Sequence, residues 1–281
     1  MLADLSVRAL LDAFASSDPT PGGGSAAALA GALGASLLAM VAGMPRTRTG
    51  TPEDRASLDA IRTRLLSLRD ELVQLIDRDA SAYDLVVAAY RRPKASEADK
   101  AARASAIQEA LRVATTVPLE TYKACTDAMD AAATVAARGN PSAISDVIVG
   151  FSALSLGMQG AAVNIEINLG SVTDAAWAES VGQELRTRAK HLQDAARQVY
   201  SNESGLDLMK KTAERGGTGH GAPPEPGSPQ FRETAARMAA GALAMLDMPE
   251  ARQALERLAA SGDPVVAQRA QEALDRSSGS A

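Results

Sequence analysis

Two stretches, Ser25 to Met44 and Val147 to Ile165, contain no charged side chain, and nothing else constrains the fold as tightly. Each approaches the roughly 20 apolar residues that a membrane-spanning helix needs, and each would also suit a helix buried inside a bundle. Small residues decide between the two. Ala27, Gly31, Ala35, Ala39 and Gly43 recur at four-residue spacing, a stripe that lets helix backbones approach closely. Alanine and glycine add little to insertion, no Trp/Tyr belt or basic flank marks an interface, and the mean hydropathy is −0.08. The sequence therefore predicts no membrane partner and two central helices buried on all sides. Hydrophobic residues are 46% but aromatics only 3%, so the apolar content is mostly Ala, Leu and Val, which favours closely packed helices over strands. The expected class is all-α, a helical bundle with long buried central helices.

The other helices announce their ends. A short amphipathic helix is expected near residues 4–15. Thr51-Pro52-Glu53 has the order of an N-cap, a first-turn proline and an acidic residue. Leu58, Ile61, Leu65, Leu68, Leu72, Leu75, Asp79, Ala82 and Val86 then alternate spacings of three and four, marking one helical face that Arg91-Arg92-Pro93 closes. Ser96, Glu97 and Asp99 open a helix that runs to about Arg138 and is expected to be disturbed at Pro118. Beyond the turn Gly139-Asn140-Pro141, helices are predicted over 142–169 and 173–202. Residues 215–229, RGGTGHGAPPEPGSP, have linker composition. A bundle of residues 1–214 is thus expected to carry a small C-terminal helical extension, 230–281, with helices over 230–247, 249–260 and 263–276.

Candidate chemistry starts at Pro21-Gly22-Gly23-Gly24-Ser25. Gly22, Gly24 and Ala27 match the spacing of a dinucleotide loop, but that loop needs a preceding strand and an acid about 20 residues on. Here the preceding segment reads as a helix, Thr47 holds the acid's place, and no Gly-Lys-Ser/Thr follows. The net charge of −5 and pI near 5.2 argue against a nucleic-acid partner. One cysteine, Cys125, and two separated histidines, His191 and His220, form no ligand cluster, so no metal is expected. Cys125 reads as a small buried hydrophobe. Acid–base chemistry then falls to carboxylates, a hydroxyl or a lysine such as Lys123. Asp79 interrupts an apolar seam between Leu75 and Ala82, where a carboxylate needs a partner, a cleft or a catalytic use. Asp146, Gly150, Ala153, Gly157, Ala161, Asn164 and Asn168 share one face of the second uncharged helix, polar at its ends and small in its middle, as a groove requires. Capping of neighbouring helices accounts for Asp79 and Asp146 equally well. The start, MLADLSVRALLDAF, lacks the basic region of a signal peptide, so a cytoplasmic location is expected.

Five segments in order, PTPGGGSAAALAGALGASLLAMVAG, DRDASAYDLVVAAYRRPK, VPLE at 117–120, GNPSAISD at 139–146 and NIEINL at 164–169, resemble the formiminotetrahydrofolate cyclodeaminase / methenyltetrahydrofolate cyclohydrolase family. The resemblance implies an all-α homodimer that holds a tetrahydrofolate derivative as its substrate in a cleft between helices. It also implies one of two reactions: loss of ammonia from the 5-formimino form to give the 5,10-methenyl form, or hydrolysis of the methenyl form, neither needing a metal. On this resemblance Asp79 is the expected acid/base and Asp146 the second. Gly22, Gly23, Gly24 and Ser25 would present backbone donors, Asn164 and Asn168 would meet the pterin, and Tyr83 and Asn140 fall within the matched segments as substrate contacts. Arg138 or Lys123, outside those segments, would meet the glutamyl carboxylate. Two departures stand out. MPRTRTGTPEDR, 44–55, replaces the family's Gly-Lys-rich stretch, so that either Arg46 or Arg48 substitutes for the lysine or the folate contact is lost. DPVVAQRAQEALDR, 263–276, with the helix before it, looks like a HEAT-type hairpin, which would dock on the bundle or on another protein. No formiminotransferase domain is among these residues, so a single activity is expected. The alternatives are a folate-binding or scaffold protein without turnover, and an enzyme with a specialised-metabolism substrate.

Overall fold

The capping residues read in the sequence stand at the helix starts in a computed structural model, which describes residues 1–201, Ala240 and 249–278. The described helices are α1 (Val7–Phe14), α2 (Gly23–Ala42), α3 (Pro52–Tyr90), α4 (Glu97–Arg138), α5 (Ile144–Leu169), α6 (Ala175–Ser201), α7 (Pro249–Ala259) and α8 (Pro264–Ser278), with no strand among them. Ser6 Oγ accepts from the Ala9 N–H at the head of α1. Thr51 Oγ1 accepts from the Asp54 N–H, with Pro52 in the first turn of α3. Ser96 and Asp99 form a reciprocal capping box on α4. The all-α class follows from these elements.

The residues fall into two compact units, one of Met1–Asn140 with Val149–Ala195, the other of Pro141–Ile148 with the chain from Ala196 on. In the first unit the apolar face of α3 is buried as its periodicity requires: Leu58, Leu65, Leu72 and Leu75 have no exposed surface. Leu119, Tyr122, Ala161, Ile165 and Val181 tie α4, α5 and α6 into one cluster. In the second unit α7 and α8 pack on Leu255, Leu258, Val266 and Leu274 with several alanines. Asp263 Oδ1 caps α8 through the Val265 N–H at 2.9 Å. The expected linker at 215–229, the helix over 230–247 and His220 lie outside the described residues.

Three expectations need correction. First, α4 runs unbroken through Pro118. A proline lacks the N–H that would bond the carbonyl four residues back, here Ala114, and Asn168 Nδ2 of α5 donates to that oxygen instead, at 2.7 Å. Second, the small-residue face of α5 is no groove. A Cβ on Gly157 would lie 2.7 Å from the Ala27 carbonyl oxygen, and one on Gly34 would lie 2.5 Å from that of Gly150. The backbones of α2 and α5 fill the space themselves. Third, the uncharged helices are not buried all round. Residues Leu154, Ala161 and Ile165 are buried, but α5 exposes Val149, Leu156, Val163 and Ile167, and α2 exposes Leu33 and Met40. By length and composition alone, α2 and α5 could each cross a membrane.

Candidate functional site

Helix α2 begins without a cap of its own. Gly22 is its N-cap residue and has no side chain to accept from the first turn, whose N–H groups have no partner within the helix. Asp79, projecting from α3, takes that place. Its Oδ2 lies 3.0 Å from Ser25 Oγ, and the Ser25 backbone N–H faces the same carboxyl. Ser25 Oγ is also 2.9 Å from the Ile76 carbonyl oxygen, one turn earlier on α3. The absence of a side chain at residue 24 makes this approach possible: a Cβ there would lie 2.0 Å from Asp79 Oδ1. Asn164 completes the group, with Nδ2 3.8 Å from where a Gly23 Cβ would be and donating to the Gly160 carbonyl at 2.8 Å.

A carboxylate that served only as a cap would be held ionised by its donors and by the positive end of the helix. Asp79 behaves otherwise. Burial pushes its pKa above the ordinary carboxyl value, and the donors of Ser25 oppose that push without cancelling it. A half-buried acid with a raised pKa beside a glycine-rich helix start is equipped to exchange a proton with a bound molecule.

The predicted residues separate into those near Asp79 and those far from it. Gly24 and Ser25 meet the carboxyl, Gly22 and Gly23 precede them at the start of α2, Asn164 stands beside Gly23, and Tyr83 sits one turn beyond Asp79 on α3 with 43% of its surface exposed. Ser25 is fully buried, and its hydroxyl faces Asp79 and Ile76. Asn168 is likewise engaged by the Ala114 carbonyl. Arg138 pairs at 2.9 Å with buried Asp54, about 37 Å from Asp79 along α3 at 1.5 Å per residue. Asn140 stands at that same distant end, its amide 3.7 Å from Met44 Sδ. Lys123 pairs with Glu184 of α6 at 2.8 Å. Asp146 is half-buried in the first turn of α5, in the second unit.

Two arginines of residues 44–55, Arg48 and Arg55, have structural work. Arg48 donates from Nη2 to the Ala136 carbonyl and from its backbone to that of Arg138, while Arg55 donates to the carbonyls of Met44 and Ala42. Ala136 and Arg138 lie in the last turn of α4 and Ala42 in that of α2, whose carbonyls helices leave unpaired, and Met44 follows two residues after α2. Cys125 has no exposed surface, and burial pushes its thiol up to about 12, which leaves it unreactive as a nucleophile. Among the described residues no group of three His, Cys, Asp or Glu side chains could hold a metal. An open cleft of about 540 Å³ lies between α4 and α6, away from Asp79, and its Arg188 is bonded to Thr126 and Asp127.

Sequence reasoning missed the Ser25–Ile76 and Asn168–Ala114 contacts. The second had a signal, since a mid-helix proline at 118 leaves a carbonyl at 114 in need of a donor.

Compared with known proteins, residues 6–187 match the family described as formiminotransferase-cyclodeaminase. A methenyltetrahydrofolate cyclohydrolase of Methylorubrum extorquens is 40% identical over 185 residues, covering 66% of this chain and 89% of that protein. A formimidoyltransferase-cyclodeaminase of Rattus norvegicus is 35% identical over 195 residues, or 67% of this chain. The corresponding protein of Dictyostelium discoideum is 37% identical over 198 residues, or 70%. The match covers only 36% of each of those two longer relatives. A solved formiminotetrahydrofolate cyclodeaminase from Thermotoga maritima superposes with a TM-score of 0.66 at 25% identity, covering 74% of this chain and 100% of that one.

Proposed function

Because the chain belongs to the formiminotransferase-cyclodeaminase family, we propose that it is an enzyme of folate one-carbon chemistry that hydrolyses 5,10-methenyltetrahydrofolate. The observation that carries this reading is the Asp79 carboxyl, desolvated in an otherwise apolar seam and seated at the start of α2. The relative matched over most of its length, 89%, is a cyclohydrolase, which favours hydrolysis over ammonia loss. Cyclodeaminase activity is the second reading, supported by the likeness to the Thermotoga protein over that protein's whole length.

In hydrolysis, water adds to the carbon bridging N5 and N10 of the methenyl cation. Asp79, ionised, takes one proton from that water as the C–O bond forms and faces the positive charge of the bound cation. The N5–C bond then breaks, Asp79 returns its proton to N5, and the hydroxyl proton leaves to solvent as the formyl C=O forms on N10. One proton is released in all. Gly22 and Gly23 offer backbone near the carboxyl, Tyr83 an aromatic surface one turn away, and Asn164 an amide. A homodimer is part of this proposal, supported by the apolar stripe that α5 exposes.

Absorbance of the methenyl form, followed with the purified chain, tests the reading. Loss of methenyl absorbance above the uncatalysed rate is expected. Gain of that absorbance from 5-formiminotetrahydrofolate would favour the cyclodeaminase, and turnover of neither would overturn both.

A further inference from the structure

Ser25 has one hydroxyl proton and two neighbours that want it. The Ile76 carbonyl, at 2.9 Å, can only accept, and Asp79 Oδ2, at 3.0 Å, accepts when ionised. With Asp79 ionised, a single proton must serve two acceptors. With Asp79 protonated on Oδ2, the conflict disappears: the acid donates to Ser25 Oγ, and Ser25 donates to Ile76. The two distances, equal within 0.1 Å, suit both arrangements without any movement of heavy atoms. Ser25 has no exposed surface, so neither solvent nor substrate competes for the hydroxyl.

We propose that Ser25 is a positioning residue whose hydroxyl proton swings between the Ile76 carbonyl and Asp79 Oδ2, so that the carboxyl keeps a hydrogen bond whether or not it carries its proton. An acid/base group must be held in one place through both halves of its cycle, and a fixed donor such as a backbone N–H can donate to either form but cannot accept the acid's own proton. A hydroxyl can do both. Charged groups play little part here. Helix α2 carries none, the stretch of α5 in this unit carries only exposed Glu166, and Glu120 of α4 is ion-paired with Arg78 of α3. Asp77, on the preceding turn face, accepts from the Leu2 and Ala3 N–H groups, and Tyr83 stands one turn on. Burial raises the carboxyl's pKa, and the hydrogen bonds of Ser25 oppose that rise.

The inference rests on the proposed acid/base role of Asp79 only for its kinetic consequence, so its test does not depend on turnover. The full chain, labelled with ¹³C at aspartate carboxyls, is titrated by NMR, the Asp79 signal being the one lost in Asp79→Asn. A hydrogen bond to the charged form is worth more than one to the neutral form, so Ser25→Ala is expected to raise the Asp79 midpoint by about one pH unit. The pH profile of kcat/KM should move with it while the melting temperature stays near that of the wild type. An unmoved midpoint would overturn the proposal. So would a rise in KM with kcat and its pH profile unchanged, which would make Ser25 a substrate contact. If the midpoint moves in a protein that turns over neither folate, the assigned reaction fails and the role of Ser25 stands.

Discussion

A carboxyl at a helix start can be a cap or an acid, and the two roles answer differently to substitution at residue 79. Burial raises the native pKa of Asp79, so the folded chain holds this proton more tightly than the unfolded one. The resulting stability is complete below the ordinary carboxyl range and is lost as pH rises through the raised native value. Asp79→Asn keeps an N-cap side chain and removes the charge. The expected outcome is a melting temperature at pH 7 equal to or above that of the wild type, a gap that closes on acidification, and turnover lower by about 100-fold or more. A pure cap would leave turnover intact. Gly24→Ala approaches the same point from the other side. Alanine favours a helix by up to about 1 kcal/mol over glycine, but its Cβ would occupy the place of Asp79 Oδ1. Turnover should fall to within about tenfold of the Asp79→Asn level, with helical circular dichroism retained; wild-type turnover would mean that the carboxyl's seat is immaterial. Asp79 was legible in the sequence as a break in an apolar period. Ser25 was legible only as part of a glycine-rich loop, because no one-dimensional pattern shows which of its atoms face inward.

Helices were the most legible level, since caps and periodicity are local. Thr51 and Ser96 mark their starts in sequence and in structure alike. Pro118 misled for an equally physical reason: its local cost is real, and the remedy comes from Asn168, 50 residues away. Asn168→Ala should therefore destabilise the protein by about 1–3 kcal/mol in urea unfolding, the usual penalty for a buried acceptor left unpaired. Pro118→Ala in the same chain should restore most of that loss by returning an N–H to the Ala114 carbonyl. A double-mutant cycle with no coupling between the two positions would refute this account. The departure at 44–55 belongs to the same level. Arg48 and Arg55 close the carbonyl ends of α4 and α2, and for Arg48 this takes the place of the ligand contact that the resemblance offered.

At the scale of the molecule, lack of charge cannot tell a face covered by the chain itself from one covered by a second copy. Both read as apolar, which is why α5 was expected to be buried all round. Val149, Leu156 and Val163 recur at seven-residue spacing on its exposed side, with Ile167 one turn further. If this stripe pairs two copies, the wild type should sediment as a dimer and Leu156→Glu with Val163→Glu as a monomer; a monomeric wild type would remove the dimer from the proposed function. The crossing of α2, α4 and α5 has a consequence of another kind. Cys125 is the chain's sole thiol, enclosed where Gly31 and Gly157 let the helices touch. No reagent can reach it until those helices part. The rate at which a thiol probe labels the native protein is thus a clock for core opening, started and read without introducing a single foreign residue.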